Sequence, residues 1–318
     1  MSRRAEPLPP PRPDDHSYYG RPILKAPAWD WRIPAYLFAG GLSGGATLLS
    51  VGADLTGRGR LRRRARLAAV AGLGASTYFL VSDLGRPERF HHMLRVAKPT
   101  SPMSVGTWII TGYGPGIGLA AASELLPVRW RRTPLGRVAT RLARPAGVTS
   151  AALAPALASY TAVLLSQTAV PAWHAAHPYL PFVFTGSAAA SSGGLGMLLA
   201  PVDEAGPARA FAVTGAVGEL VASRVMERRL GLVAETYQRG TAHRLRQWSE
   251  YLTAAGLLGT FAARRSRVAA GAAGAALLAG SVLQRFGVFA AGVASTRDPR
   301  YVVLPQREQE SRADRPVS

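Results

Sequence analysis

Residues 83–92, DLGRPERFHH, place Asp83, Arg86, Glu88, Arg89, His91 and His92 within ten positions around a Gly-Arg-Pro break. Carboxylate, imidazole and guanidinium groups at that density can take up, relay or release protons, and can hold a charged partner. Farther along, Glu219 and Arg285 stand inside apolar sequence. In a bilayer such a group costs about 2.5–3.5 kcal/mol at mid-helix, so its presence needs a reason. Two reasons fit: a proton path or polar lining, or a buried ion pair that fixes how two helices dock. Glu124 is a third candidate for that role. Taken singly, Asp54, Asp83, Glu124 and Glu250 lie at the edges of apolar runs, where interfacial solvation accounts for them.

The elements that carry these groups are read from the segregation of charge. Most of the 38 Lys and Arg and the 18 Asp and Glu fall in short islands. Between the islands run stretches of roughly 17–25 nearly uncharged residues, the length of a bilayer-crossing helix. The expected class is an all-α polytopic membrane protein with spans at 33–54, 67–83, 105–126, 147–171, 178–200, 208–226, 249–264 and 267–291. These divide into a polar, Pro-rich N-terminal arm (1–32), a first four-helix bundle (33–171), a second (172–294) and a polar C-terminal tail (295–318). Gly and Ala fill the spans, as in GGLSGGATLLS and AAGAAGAALLAG, and small residues let helix backbones approach closely. The starts of spans 1 and 5 echo each other (PAYLFAGGLSGGATLLS and PFVFTGSAAASSGGLGMLLA), which suggests a parallel repeat of two halves.

Composition excludes several chemistries. The chain has no cysteine, so it carries no disulfide, no thiolate metal site and no iron–sulfur cluster of its own. Its six histidines lie in loops or at span edges, whereas an intramembrane haem needs facing histidines in helix interiors. The net charge of +20 invites nucleic-acid binding, but the basic runs RGRLRRRAR and RWRRTPLGR are short loops without a nucleic-acid motif, as cytoplasmic retention of positive charge requires. Those dense loops favour both termini outside. The glycines of TGYGPGIG follow no strand and lack a P-loop ending, so they serve close packing or a kink at Pro115. Arg3 and Arg4 lie about thirty residues ahead of the first apolar run, which argues against a signal peptide.

The segment VSDLGRPERFHHMLRVAKPTSPMSVGTWII resembles the hinge between spans 2 and 3 of the NrfD-like family, the polysulfide reductase membrane subunits. Asp83, Leu84, Gly85, Arg86, Pro87, Arg89 and Phe90 fit the family's D-L-G-R-P-x-R-F motif, and Ser101 to Ser104 its S-P-M-S. YLFAGGLSGGATLLS and YTAVLLSQTAVPAWH, running on through LPFVFTGSAAASSGG, are similar to the same family. The resemblance implies an eight-helix quinone-reactive anchor in the plasma membrane of a bacterium, not catalytic alone, with menaquinone or ubiquinone as its redox ligand. It also implies a four-cluster ferredoxin-like iron–sulfur partner and a molybdopterin-type catalytic subunit. The family's quinone pocket takes polar residues early in span 1 and a tyrosine in span 4. Here those positions hold Asp30, Trp31 and Tyr36, and Tyr160; Asp83 and His91 are placed to deliver protons. Arg86, Arg89 and His92 are placed to dock the partner, or to cap helix ends.

The chemistry of quinone reduction agrees, since two electrons and two protons require a hydrogen-bond donor or acid at each carbonyl and a route to water. Tyrosine donates without burying a charge. The rival is a proton-coupled secondary transporter that uses Glu219 and Arg285 and the two halves as rocking units.

Overall fold

The computed structural model describes residues 24–305. The Pro-rich stretch at 1–23, with His16, and the tail at 306–318 lie outside the described residues. The described residues are helical, without strands, as a bilayer demands when every backbone group must be satisfied within its own segment.

Eight helices are 20 or more residues long: α1 (Arg32–Leu55), α2 (Gly59–Asp83), α3 (Pro102–Leu125), α5 (Pro134–Ser166), α7 (Leu180–Leu199), α8 (Gly206–Arg229), α9 (Gly240–Ala262) and α10 (Arg267–Ser295). Two short helices, α4 (Val128–Arg131) and α6 (Pro171–Ala175), lie in connections. By length and composition, α1, α2, α5, α7 and α10 are apolar enough to cross a membrane. Local chemistry marks the ends. Pro102 and Pro134 open α3 and α5, and the Thr133 and Ser266 hydroxyls accept from the Gly136 and Ala269 amides as caps of α5 and α10. After α1 the chain turns through Gly57 at φ +70°, a conformation that glycine adopts without strain.

Three helices depart from the apolar spans. The fourth span is expected at 147–171, but α5 runs over 134–166 and continues through Pro145 and Pro155. Helices α2 and α9 begin at 59 and 240, ahead of the expected 67 and 249. Hydropathy detects only the lipid-facing stretch, while the helix propagates through polar turns outside it. Arg66 and Arg246 therefore also lie within long helices, and both are buried.

Neighbours in sequence pack as hairpins: α1 on α2, α3 on α5, α7 on α8 and α9 on α10. Helix α1 also contacts α5 and α7, and α7 contacts α10, so the two Gly-rich segments that echo each other lie side by side at the centre. A Cβ on Gly44 would meet the Ala154 carbonyl oxygen at 2.9 Å, and one on Gly72 the Ala39 carbonyl oxygen at 3.0 Å, so these approaches require glycine. Large apolar side chains such as Phe182, Leu258, Phe261 and Val268 point outward, suited to lipid.

The hairpins leave two ends. One gathers the starts of α1, α3, α7 and α9 with the ends of α2, α5, α8 and α10. The other gathers the arginine-rich connections.

Candidate functional site

At the first end the hydroxyls of Tyr36 (α1) and Tyr160 (α5) hydrogen-bond to each other. Their residues are 1% and 7% exposed, so each satisfies a polar group that burial would otherwise orphan. Two hydroxyls joined by one bond leave one O–H free to donate elsewhere. Gly106 of α3 makes room, since a Cβ there would overlap the Tyr160 ring. The Tyr36 carbonyl accepts from Ser76 Oγ of α2 at 3.3 Å. Four helices therefore converge on the pair. Tyr36 lies four residues inside Arg32, about 6 Å of helix, so the site is shallow.

Above it sits a charged rim. Asp30 accepts from the Arg32 amide at 2.8 Å and pairs with its guanidinium at 2.7 Å. That bond holds the Asp30 carboxyl below the usual carboxylate range. Arg32 also donates to the Ser82 carbonyl at the end of α2, and Asp83 lies half-buried with Asp30 and Arg32 as its charged neighbours. Trp31 turns away, 59% exposed and edge-on to Phe79 at 5.7 Å. Behind the pair, Trp173 is fully buried, stacks on Trp29 at 5.8 Å and donates to the Val288 carbonyl at 2.8 Å.

The hinge after Asp83 is a 3-10 helix, Pro87–Leu94, with no buried residue. Arg86, Arg89, His91 and His92 are exposed on it. The His91 ring packs on Phe90 and His92 rather than on the tyrosines. Among the described residues the Arg86, Arg89 and His92 side chains form no ion pair.

The remaining candidates separate. Glu124 lies at the opposite end, paired with Arg62 at 3.0 Å and Arg66 at 2.9 Å. Asp54 joins that cluster through Arg62 at 3.0 Å and Arg144 at 2.9 Å, which ties α1, α2, α3 and α5 together. Glu219 and Arg285 are both buried at mid-helix, 3% and 1% exposed. They form no direct ion pair. Arg285 instead donates to the Phe184 carbonyl at 2.8 Å and lies over the Phe184 ring at 3.8 Å.

The model of the polysulphide reductase, NrfD, family matches residues 24–294. The chain belongs to the NrfD polysulphide reductase family. A relative, the C subunit of polysulfide reductase from Wolinella succinogenes, is 29% identical over 183 residues, which cover 52% of this protein and 57% of the relative. Among its described residues this NrfD protein has five helices long and apolar enough to cross a membrane.

Part of the NrfD protein's polar interior escapes a reading by hydropathy and motif. The Tyr113 hydroxyl contacts Ser43 Oγ at 2.8 Å and Thr47 Oγ1 at 2.6 Å, a knot between α1 and α3. Its tyrosine stands in TGYGPGIG, where the glycines draw the eye. Arg246 pairs with Glu227, and it lies ahead of the expected start of its span.

Proposed function

We propose that this chain exchanges electrons between the membrane quinone pool and a peripheral iron–sulfur and molybdopterin module. The observation that carries the reading is the buried Tyr36–Tyr160 pair beneath the Asp30/Arg32/Asp83 rim. Its free O–H is a neutral donor suited to a quinone carbonyl, and the rim connects it to water for the two protons that reduction consumes. Helices α1, α2, α7 and α10 frame an apolar groove of about 470 Å³, lined by Ala35, Phe38 and Phe79 among others, which suits an isoprenoid tail.

With no cysteine in the chain, the electrons pass to or from a partner's clusters. A shallow site keeps them close, and the exposed Arg86, Arg89 and His92 of the hinge offer that partner charge-assisted contacts. His91 and Asp83 serve proton exchange at the same rim. In this reading all eight long helices cross a bacterial plasma membrane, α1, α2, α3 and α5 forming one four-helix half and α7 to α10 the other. Membership of a redox family favours this over transport.

Tyr160→Phe keeps the ring and removes the hydroxyl. Quinol turnover of the complex is expected to fall about tenfold or more, the worth of one hydrogen bond in the reacting state, ~1.5 kcal/mol. The amount of assembled complex stays unchanged. Unaltered turnover would dismiss the site.

A further inference from the structure

Helices α8, α9 and α10 enclose a second polar site, separate from the tyrosine pair. Glu219, Ser223 and Glu227 on α8, Arg246, Ser249 and Thr253 on α9, and Gln284 on α10 line one narrow cleft. Its outer end carries two ion pairs, Arg246–Glu227 and the exposed Arg224–Glu250. Its inner end holds Glu219 and Thr253.

Hydrogen bonding within the cleft is incomplete in a patterned way. Ser249 Oγ donates to the Gly280 carbonyl at 2.7 Å and contacts Gln284 Oε1 at 3.4 Å, and Gln284 Nε2 reaches Ser223 Oγ at 3.4 Å. Glu219 Oε2, Thr253 Oγ1 and Arg246 Nε have no protein partner, although all three residues are more than nine-tenths buried. Beyond Glu219, Nε and Nη1 of Arg285 are in the same state. Buried polar atoms are satisfied by protein or by water. Several orphans along one cleft, with about 10 Å³ of space for a water centre, match what one buried water needs.

The cleft opens one way only. At Glu219 and Thr253 the neighbouring backbones press close: a Cβ on Gly186 would meet the Glu219 amide nitrogen at 2.6 Å, and one on Gly280 would meet the Thr253 amide nitrogen at 3.1 Å. Farther on lies an apolar cluster that includes Ala212, Ala216 and Leu277. The charged groups facing Glu219 are Arg285 of α10, Arg224 and Glu227 of its own helix, and Arg246 and Glu250 of α9. The geometry points to a one-sided, water-bearing proton inlet that runs from the tyrosine end, between Glu227 and Glu250, to Glu219. Protons pass along water and the Ser223 and Thr253 hydroxyls to the Glu219 carboxylate, and no other bond is made or broken.

The chain has no cysteine, so single cysteines report cleanly. In the full-length protein reconstituted in sealed vesicles, Ser223→Cys and Thr253→Cys are challenged with silver ion, a thiol reagent of near-water size, from one side at a time. Protection is then read by maleimide labelling after denaturation, using only variants that elute as the parent does. Both cysteines should be protected from the tyrosine-end side alone, whereas Ser191→Cys, fully buried on α7, should be protected from neither. Failure of both cleft cysteines while Gln247→Cys on the exposed face of α9 reacts, or reaction from both sides, overturns the inlet. Infrared difference spectra between acidic and alkaline buffer provide the proton readout. They should contain a carboxyl band that Glu219→Gln removes; spectra without it would overturn proton exchange at Glu219.

Discussion

Tyr36 and Tyr160 are 124 positions apart and meet through their last atoms. If the hydrogen-bonded hydroxyls act as one donor unit, as proposed, Tyr36→Phe and Tyr160→Phe should be non-additive: the double variant loses little more quinol turnover than either single one. Steady-state rates on membranes, normalised to the amount of subunit, check this, and multiplied losses would separate the two roles. Asp30 has a different task. Its folded carboxyl titrates below the ordinary value of about 3.9 because the Arg32 guanidinium binds it. The stability it contributes is therefore present above that ordinary value and is lost as pH falls through the lower folded value. Asp30→Asn should lower the thermal stability of the detergent-solubilised protein at neutral pH, by under ~1 kcal/mol for so exposed a pair, and the difference should vanish in strong acid. Residue types near this site were legible in the sequence, but their contacts were not. Nothing in the order of residues shows that Asp30 turns to Arg32, that Trp31 faces outward on Phe79, or that Arg285 seeks the Phe184 carbonyl instead of Glu219.

Helices were legible wherever their outer faces are apolar. The long apolar runs at 33–54 and 267–291 lie within α1 (Arg32–Leu55) and α10 (Arg267–Ser295). Ends set by polar turns were not, because the first turns of α9 expose His243 and Arg244 while Ala242 and Arg246 face inward. Cross-helix ties were hidden for the same reason. Arg66 reads as one more residue in an arginine run, yet its buried guanidinium meets Glu124 across α2 and α3. Removing Arg66 leaves Glu124 with Arg62 alone, so Arg66→Met should lower stability by less than the ~3 kcal/mol that breaking an isolated buried pair costs. Adding Glu124→Gln to it should restore part of that loss. Melting curves in detergent test both. Gly106 is the corresponding point at the other end: Gly106→Val places branched carbon where the Tyr160 ring lies, and should reduce turnover at least as much as loss of the hydroxyl does.

The whole molecule divides its labour between two ends. At one, ion pairs lock the connections, Asp54 and Glu124 with their arginines and Arg60 with Asp203 and Glu204, and Arg267 donates hydrogen bonds to the Met197 and Ala200 carbonyls at 2.7 Å. At the other lie the tyrosine pair, the exposed hinge and the mouth of the α8–α9 cleft. On the proposed reading, a partner that exchanges electrons docks at the second end, where both proposed proton routes also open. The family was legible from the hinge motif, because its Gly-Arg-Pro break and charged residues are adjacent in sequence. The polar interior of α8 to α10 was legible only as isolated groups, since its lining comes from three helices. The most direct test is to isolate the affinity-tagged complex from its native membranes in mild detergent, add quinol, and follow cluster reduction spectroscopically. The parent complex should show rapid reduction of a partner's iron–sulfur clusters, and the Tyr36→Phe/Tyr160→Phe complex at least tenfold slower reduction. Equal rates in the two, or a subunit recovered without any cluster-bearing partner, would contradict a quinone-reactive subunit built on this tyrosine pair.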